Sequence, residues 1–435
     1  MNNKWLCVYI LIIGIMMLSG CHASFQSYQA SNLSNNGQNI DESQSQNNSS
    51  DRLVIWTPEN VFEHSLSSFQ NKYPELEVEI EIIDSNQLVN TYRDSIVNQR
   101  VPDVMVIPNQ HLGSFSSING LETLNSKPYV NETFFSKFPK GLLENHKNAT
   151  DETMYAFPLL YFPYVTFYRA DIMDKAGFPS DPDKLSEYLA NVDRWLRLAE
   201  NLKTKDQYMI QSNWAMMGSV LHSADFFDAG YNYLGDEQPM AKAIESSILA
   251  TEYQLSPYLN IWEENGRQAL QNDQLVMFHA PKYVQNSLKD WVPEQKGDWA
   301  ITDMPFGLSG NEKTSSLSMA IPTDSDNKKA AWEFIRSMSK DMLNMYREME
   351  NDPFYRNENL KKTYWDMLSE NDRGQPTPLD QQVEMVWEVT LQRISTNQTQ
   401  INGDTMNQLH QSVNQQIRYD RRSLMNLYNT ESTSK

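Results

Sequence analysis

Between Arg52 and Pro108 three short apolar runs alternate with two stretches of helical periodicity, and this alternation restricts the fold more than any other feature of the chain. "RLVIW" (Arg52 to Trp56) is a buried-strand run followed by a break at Thr57-Pro58. Phe62, Leu66, Phe69 and Tyr73 then recur at helical spacing until Pro74 closes the segment. "ELEVEIEI" comes next, with Val78, Ile80 and Ile82 alternating against Glu77, Glu79 and Glu81. Strict alternation assigns those glutamates to the solvent face of an edge strand rather than to a catalytic or metal-binding cluster. A second helix is expected over 86–98, and "VPDVMVIP" (Val101 to Pro108) is a fully apolar strand. Strand, helix and strand in this order give an α/β fold with a mostly parallel sheet and ligand loops at the strand C-termini.

The pattern continues more loosely. Pro158 and Pro163 bracket an aromatic crossover, Val165 to Tyr168 reads as a strand, and Asp171 to Ala176 as a helical turn ended by Gly177. One helix is expected from Asp181-Pro182, with Leu185, Leu189, Val192 and Leu196 on one face and Trp195 beside them in the core. Strands are expected near Gln207, over 272–284 and at "GDWAITDMPFG". Thr314 to Ser339 gives a strand, a cap and a helix burying Trp332, Ile335 and Met338, and the chain from Met342 onward is helical, polar and Gln/Asn-rich.

Ahead of the globular part stands a short charged segment, an apolar run from Trp5 to Leu18, and Leu18-Ser19-Gly20-Cys21. The run is too short for a comfortable membrane span and reads as a signal peptide over 1–20. The last four residues look like a bacterial lipobox, which makes Cys21 a lipidated anchor, stable when two or more acyl chains are attached. Residues 21–50 are rich in Ser, Asn and Gln with no apolar period, which is the composition of a flexible tether. Such a tether spans at most about 100 Å extended and roughly 30 Å as a coil. The expected location is therefore the outer face of the cell membrane of a Gram-positive bacterium.

The only other cysteine is Cys7, so the mature chain has no pair for a disulfide and relies on its core. A length of 435 residues implies two lobes rather than one core. A formal charge of −20 repels phosphate backbones and anionic lipid, which argues against nucleic-acid binding. The 7 histidines are scattered without HExxH or an i, i+4 pair, and neither a phosphate loop nor a GxSxG elbow occurs. No metal, no cofactor and no catalytic residue is expected, and carboxylates are too abundant for any pair to mark glycoside hydrolysis.

Taken in order, several segments resemble the family 1 extracellular solute-binding proteins of ABC importers, the group that includes maltose-binding protein. The carriers are Leu53 to Trp56 with the helix ending at Tyr73-Pro74, Pro102-Asp103, and Tyr155 to Pro158 leading to Phe167-Tyr168 and Ala176-Gly177. Met277-Phe278, and Ser318 to Ile321 followed by the helix containing Ala330-Ala331-Trp332-Glu333-Phe334, complete the set, and the likeness runs from about residue 51 to about 430. It implies a two-lobed periplasmic-binding-protein-like fold of type II with discontinuous lobes joined by hinge strands. One lobe takes 51–160 with 312–345, the other 161–311 with 346–430, and residues 159–164 form one hinge crossing. It also implies a monomer that closes on a solute in the cleft and docks on membrane permease subunits driven by an ATPase. A non-transport sensor with the same fold is the alternative, and the sequence does not separate the two.

Sugar recognition calls for Asn, Gln, Asp and Glu to meet hydroxyls and for aromatic rings to meet C–H faces. Residues just after the cleft-facing strands are the candidates: Trp56, Thr57, Glu59 and Asn60; Asn109 and Gln110; Tyr161, Phe162 and Tyr164; Asn213 and Trp214; Asp225 and Asp228; and His279. Relatives commonly carry paired glycines where this chain has Ser223-Ala224, His279-Ala280 and Ser315-Ser316. Larger side chains there imply a cleft of altered shape.

Overall fold

The computed structural model describes residues 52–148, 152–235, 238–370 and 374–433, all within one compact unit of residues 48–435. The signal segment, the tether and Cys21 lie outside the described residues. No described helix is long and apolar enough to cross a membrane.

Among the described residues eight strands form two sheets: β1 (Arg52–Thr57), β2 (Glu77–Ile82), β3 (Val104–Pro108), β4 (Phe157–Leu160), β5 (Tyr164–Arg169), β6 (Met277–Pro281), β7 (Trp299–Thr302) and β8 (Leu317–Ala320). The first sheet has the order β2-β1-β3-β8-β4 and the second β6-β5-β7. β1 lies parallel to β2 and to β3, as the strand–helix alternation requires. Its side chains divide between two cores. Leu53 and Ile55 meet Phe62 and Phe69 on one face, while Trp56 joins Leu88, Tyr92 and Met105 on the other. Helices Glu63–Lys72 and Leu88–Val97 thus cover opposite faces, which explains why "RLVIW" is apolar throughout. β2 is the edge strand, with Glu77 and Ile82 exposed.

The expectation of a mostly parallel sheet holds only for β1, β2 and β3. β8 runs antiparallel to both β3 and β4, and β5 runs antiparallel to both β6 and β7. The cause is connectivity: the chain leaves the first sheet after β4, builds the second, and returns as β8 in the opposite sense. The first body, built on that sheet, is therefore discontinuous in sequence, whereas the strands of the second, β5 to β7, are consecutive. Asp103 fastens the return, since its carboxylate accepts from Val54 N at 2.9 Å and from Ser325 Oγ at 2.8 Å just ahead of helix Lys328–Arg347.

That helix buries Ala331, Phe334, Ile335 and Met338 on the first sheet, with Phe334 edge-on to Phe62 and Phe69 at centroid distances of 5.2 and 5.1 Å. Full burial of each such ring contributes about 1.5–3 kcal/mol. Its last turn carries Tyr346, whose ring stacks on Tyr161 at 5.0 Å and whose hydroxyl donates to the Tyr161 carbonyl. Tyr364 stands edge-on to Tyr346, and the Lys282 ammonium lies over both rings, 4.9 and 5.2 Å from their centroids. Through these tyrosines the apolar core passes from the first sheet to Val165, Phe167 and Phe278 of the second without interruption.

Two local expectations differ from the structure. The single helix expected from residue 182 is two, Pro182–Leu189 and Val192–Lys203, because the Asn191 side chain accepts from Arg194 N and caps a new start. Trp195 is fully buried on the second of these. The strand expected near Gln207 is a single bridge from Tyr208 to Leu275.

Candidate functional site

β3 ends at Pro108 and the chain turns at once into a short 3-10 segment, Asn109–Ser114. A tight helix started by Pro108 aims the Asn109 and Gln110 backbone amides toward the turn that precedes β8, where Asn109 N donates to Ser316 O at 2.8 Å and Gln110 N to Lys313 O at 3.0 Å. Lys313 N in turn donates to His222 O at the end of helix Ala215–Ser223, which packs in the core of the second sheet. Glu312 holds the turn by accepting from Thr314 N and Ser315 N. Lys313 is the residue at which the first body's strand-end loop and the second body's helix meet.

A third wall comes from the C-terminal part. Leu379, Val383 and Trp387 of the segment leading into and along helix Asp380–Ser395 pack in the second core, while the carbonyl of Thr377 presses on the 3-10 segment. A Cβ on Gly113 would lie 2.0 Å from that oxygen, so only glycine permits the approach. Glu384 then reaches Lys313, with Nζ 3.2 Å from Oε1 and both side chains largely buried.

The electrostatics follow from burial. Desolvation alone lowers the Lys313 ammonium, yet Glu384, Asp225 and Asp380 outweigh it and hold the group above its ordinary value. Burial raises the Asp225 carboxyl and pushes Asp380 up to about 8. His111 and His222 are lowered by burial and stay neutral near pH 7, although Glu384 opposes the shift in each. At neutral pH the Lys313 ammonium therefore faces Glu384, while Asp380 keeps its proton and accepts from Thr377 N at 2.7 Å. Among the described residues Asp225 receives no hydrogen bond. Acceptor carboxylates, two neutral imidazoles and the Gln110 amide side by side suit a ligand rich in hydroxyl donors. No three His, Cys, Asp or Glu among the described residues are grouped to hold a metal ion.

Asn109, Gln110 and Asp225 thus lie around one point. Asn109 Oδ1 is 2.7 Å from Ser318 Oγ, which also lies 2.8 Å from His146 Nε2, so the amide is tied to a buried network. Asn213 and Trp214 form a separate group at the start of helix Ala215–Ser223: Asn213 Nδ2 donates to Tyr258 Oη at 2.6 Å and the Trp214 ring tilts against Tyr258 at 5.6 Å. Asn213 Oδ1 is buried without a partner. Glu59 and Asn60 are exposed after β1, with Thr57 Oγ1 donating to Glu59 O and Asn60 Oδ1 accepting from Phe62 N.

The others sit elsewhere. Trp56 packs against Tyr92 at 6.0 Å in the core under helix Leu88–Val97. Tyr161 belongs to the tyrosine junction, and its hydroxyl is buried without a partner. Phe162 stands edge-on to Tyr283. Asp228 caps its own loop, accepting from Gly230 N, Asn232 N and Asn232 Nδ2. His279 lies within β6 rather than after it, with Nδ1 3.0 Å from Thr166 Oγ1, and burial drives its ring down to about 3. All three positions where paired glycines were expected in relatives hold structural contacts here: Ser316 Oγ accepts from Phe162 N, Ser223 O packs on Gly310, and His279 pairs with Thr166.

Lys313, Glu384, Asp380, His111 and His222 were not among the residues singled out from sequence. Lys313 sits two residues before Ser315-Ser316, and Glu384 follows the apolar spacing Leu379, Val383, Trp387 of a buried face. Charges adjoining such a face are the available signal.

Residues 53–342 match the pattern of the bacterial extracellular solute-binding proteins. The chain belongs to that family. As a solute-binding protein it shares its fold with MalE, the sugar-binding protein of Xanthomonas citri, at 16% identity and a TM-score of 0.66 over 86% of this chain and 99% of that one. The galacto-N-biose/lacto-N-biose I-binding protein of Bifidobacterium longum, solved with lacto-N-biose, aligns at 11% identity and a TM-score of 0.63 over 86% and 98% of the two chains. The extracellular solute-binding protein of Staphylococcus aureus, solved with maltose, aligns at 14% identity and a TM-score of 0.58 over 86% and 99%. At such identities the likeness is one of fold, and it establishes the two-lobed architecture.

Proposed function

We propose that this solute-binding protein is the lipid-anchored extracellular receptor of an ABC importer, that its cargo is a sugar or oligosaccharide, and that the cargo binds beside Lys313. The observation that carries this is the meeting at Lys313 of a strand-end loop of the first body, a helix end of the second, and Glu384. Three neighbours of the same fold are named for sugars or were solved with them, which supports the class of cargo. The lobes divide as 51–160 with 312–345 and 161–311 with 346–430, and Cys21 supplies the anchor. Asn109, Gln110 and Asp225 are the first ligand contacts, with Asn213 and Trp214 as a second group.

Thermal unfolding and tryptophan fluorescence of the full chain in detergent, against a panel of mono- and oligosaccharides, test this. A ligand at about 100 times its dissociation constant adds roughly 2.7 kcal/mol of stability, a rise of several degrees. Silence across the whole panel removes carbohydrate as the cargo.

A further inference from the structure

An asparagine followed by glycine can react with itself: the glycine nitrogen, with no Cβ beside it, attacks the carboxamide one residue back. The chain has four such pairs, of which Asn36-Gly37 lies outside the described residues. The fold treats the other three, Asn119-Gly120, Asn265-Gly266 and Asn402-Gly403, differently. We propose that Asn119 is a site of spontaneous deamidation in the folded protein, and that the fold protects Asn265 and Asn402.

Asn119 stands in the turn that follows the 3-10 segment, with its side chain exposed. Among the described residues neither its carboxamide nor the Gly120 N–H has a hydrogen-bond partner, so both reacting groups are free to meet. Packing also retains the reactive pair. Gly120 is buried, its carbonyl accepts from Thr323 N at 2.9 Å, and a Cβ on it would lie 2.4 Å from Ile96 Cγ2. Asn265 and Gly266 instead lie in helix Glu264–Gln271, and a Cβ on Gly266 would lie 2.0 Å from the Asn260 carbonyl oxygen. Closing a ring there has to unwind the first helical turn. Asn402 is held by its own acceptor: Oδ1 takes Thr405 N at 3.0 Å and Thr405 Oγ1 at 3.1 Å, capping the helix that begins at Gly403. Turning that carboxamide onto Gly403 N forfeits the cap.

In the reaction the Gly120 nitrogen gives up its proton to solvent and bonds to Asn119 Cγ. The Cγ–Nδ2 bond breaks, ammonia leaves, and a five-membered succinimide remains. Water opens it at either carbonyl, to aspartate or to isoaspartate, with no change of oxidation state. Both products carry a new carboxylate. Isoaspartate also inserts one more carbon into the main chain, next to the bond from Thr323 N to Gly120 O that ties this turn to the segment after β8.

The proposal is independent of the cargo. The full chain in detergent is incubated at mildly alkaline pH in oxygen-18 water, digested, and followed peptide by peptide in a mass spectrometer. The Asn119 peptide is expected to convert at least tenfold faster than the Asn265 and Asn402 peptides, to take up one heavy oxygen, and to become a substrate for isoaspartyl methyltransferase. In urea the three rates converge, because only the fold separates them. Asn119→Gln, which would have to close a six-membered ring, abolishes conversion at this site. An intact Asn119 peptide, equal rates at the three sites in the folded chain, or the same ranking in urea overturns it.

Discussion

Two of the junctions between the two bodies have opposite character. At one, Tyr161, Tyr346 and Tyr364 carry an unbroken apolar core from sheet to sheet. At the other, Gln110, Lys313, Thr377 and Glu384 meet through backbone hydrogen bonds and one ion pair. Apolar burial is lost outright when such surfaces part, whereas polar contacts exchange for water at a net cost near 1 kcal/mol each. By that measure the tyrosine junction resists separation more strongly than the polar one.

The sharpest way to break this contrast is Tyr346→Ala. It removes a fully packed ring, its stacking on Tyr161 and its hydroxyl donor, and is expected to cost about 3–5 kcal/mol in denaturant unfolding. A loss under about 1 kcal/mol would deny the junction its structural role. Next comes Lys313→Met, which leaves Glu384 and Asp225 buried without a cation and is expected to cost about 3 kcal/mol near pH 7. Unlike the tyrosine variant, it should recover much of that loss at low pH, where the carboxylates are protonated. Gly113→Ala forces the 3-10 segment away from Thr377, at about 1–3 kcal/mol. Small-angle scattering should then report a more open particle, and an unchanged profile would sever the link between this contact and closure.

The smallest effects are slopes with pH, and the two regions differ in sign. Asp380 moves from an ordinary 3.8 to about 8 in the fold, so between those values the folded chain holds a proton the unfolded chain has released, and stability falls as pH rises. Asp380→Asn should flatten that decline. In the core, His279 and His146 drop from 6.5 to about 3 and about 4. Their stabilising contribution is present above pH 6.5 and is lost as pH falls toward those values. In a melting series from pH 4 to 8 the two contributions therefore oppose each other below about 6.5, and removing Asp380 should steepen the rise there and flatten the decline above it.

Sequence patterning exposes the first body far better than the second. The strands β1 and β3, the helix at Glu63–Lys72 and the core helix with Trp332 all follow from period and punctuation, because each is a continuous apolar signal with a clear stop. The break at Asn191 is less visible, since Leu185, Leu189 and Val192 keep a helical spacing across it and only the cap separates the two helices. Strand sense is invisible for another reason: β8 is antiparallel because of where the chain has been in between, which no local pattern records. The polar junction suffers likewise. Asn109 and Gln110 are legible as residues after a strand, but Glu384 lies some 70 residues beyond Lys313, and nothing local pairs them.

Helix Lys328–Arg347 has 20 residues, with its beginning against the first sheet and its last turn in the tyrosine junction. At 1.5 Å per residue it is a rigid rod of about 30 Å, so a swing of about 10° around Tyr346 moves the far end by about 5 Å. Because Phe334, Ile335 and Met338 fix the rod to the first sheet, sheet and rod form a single lever arm that ends at the tyrosines.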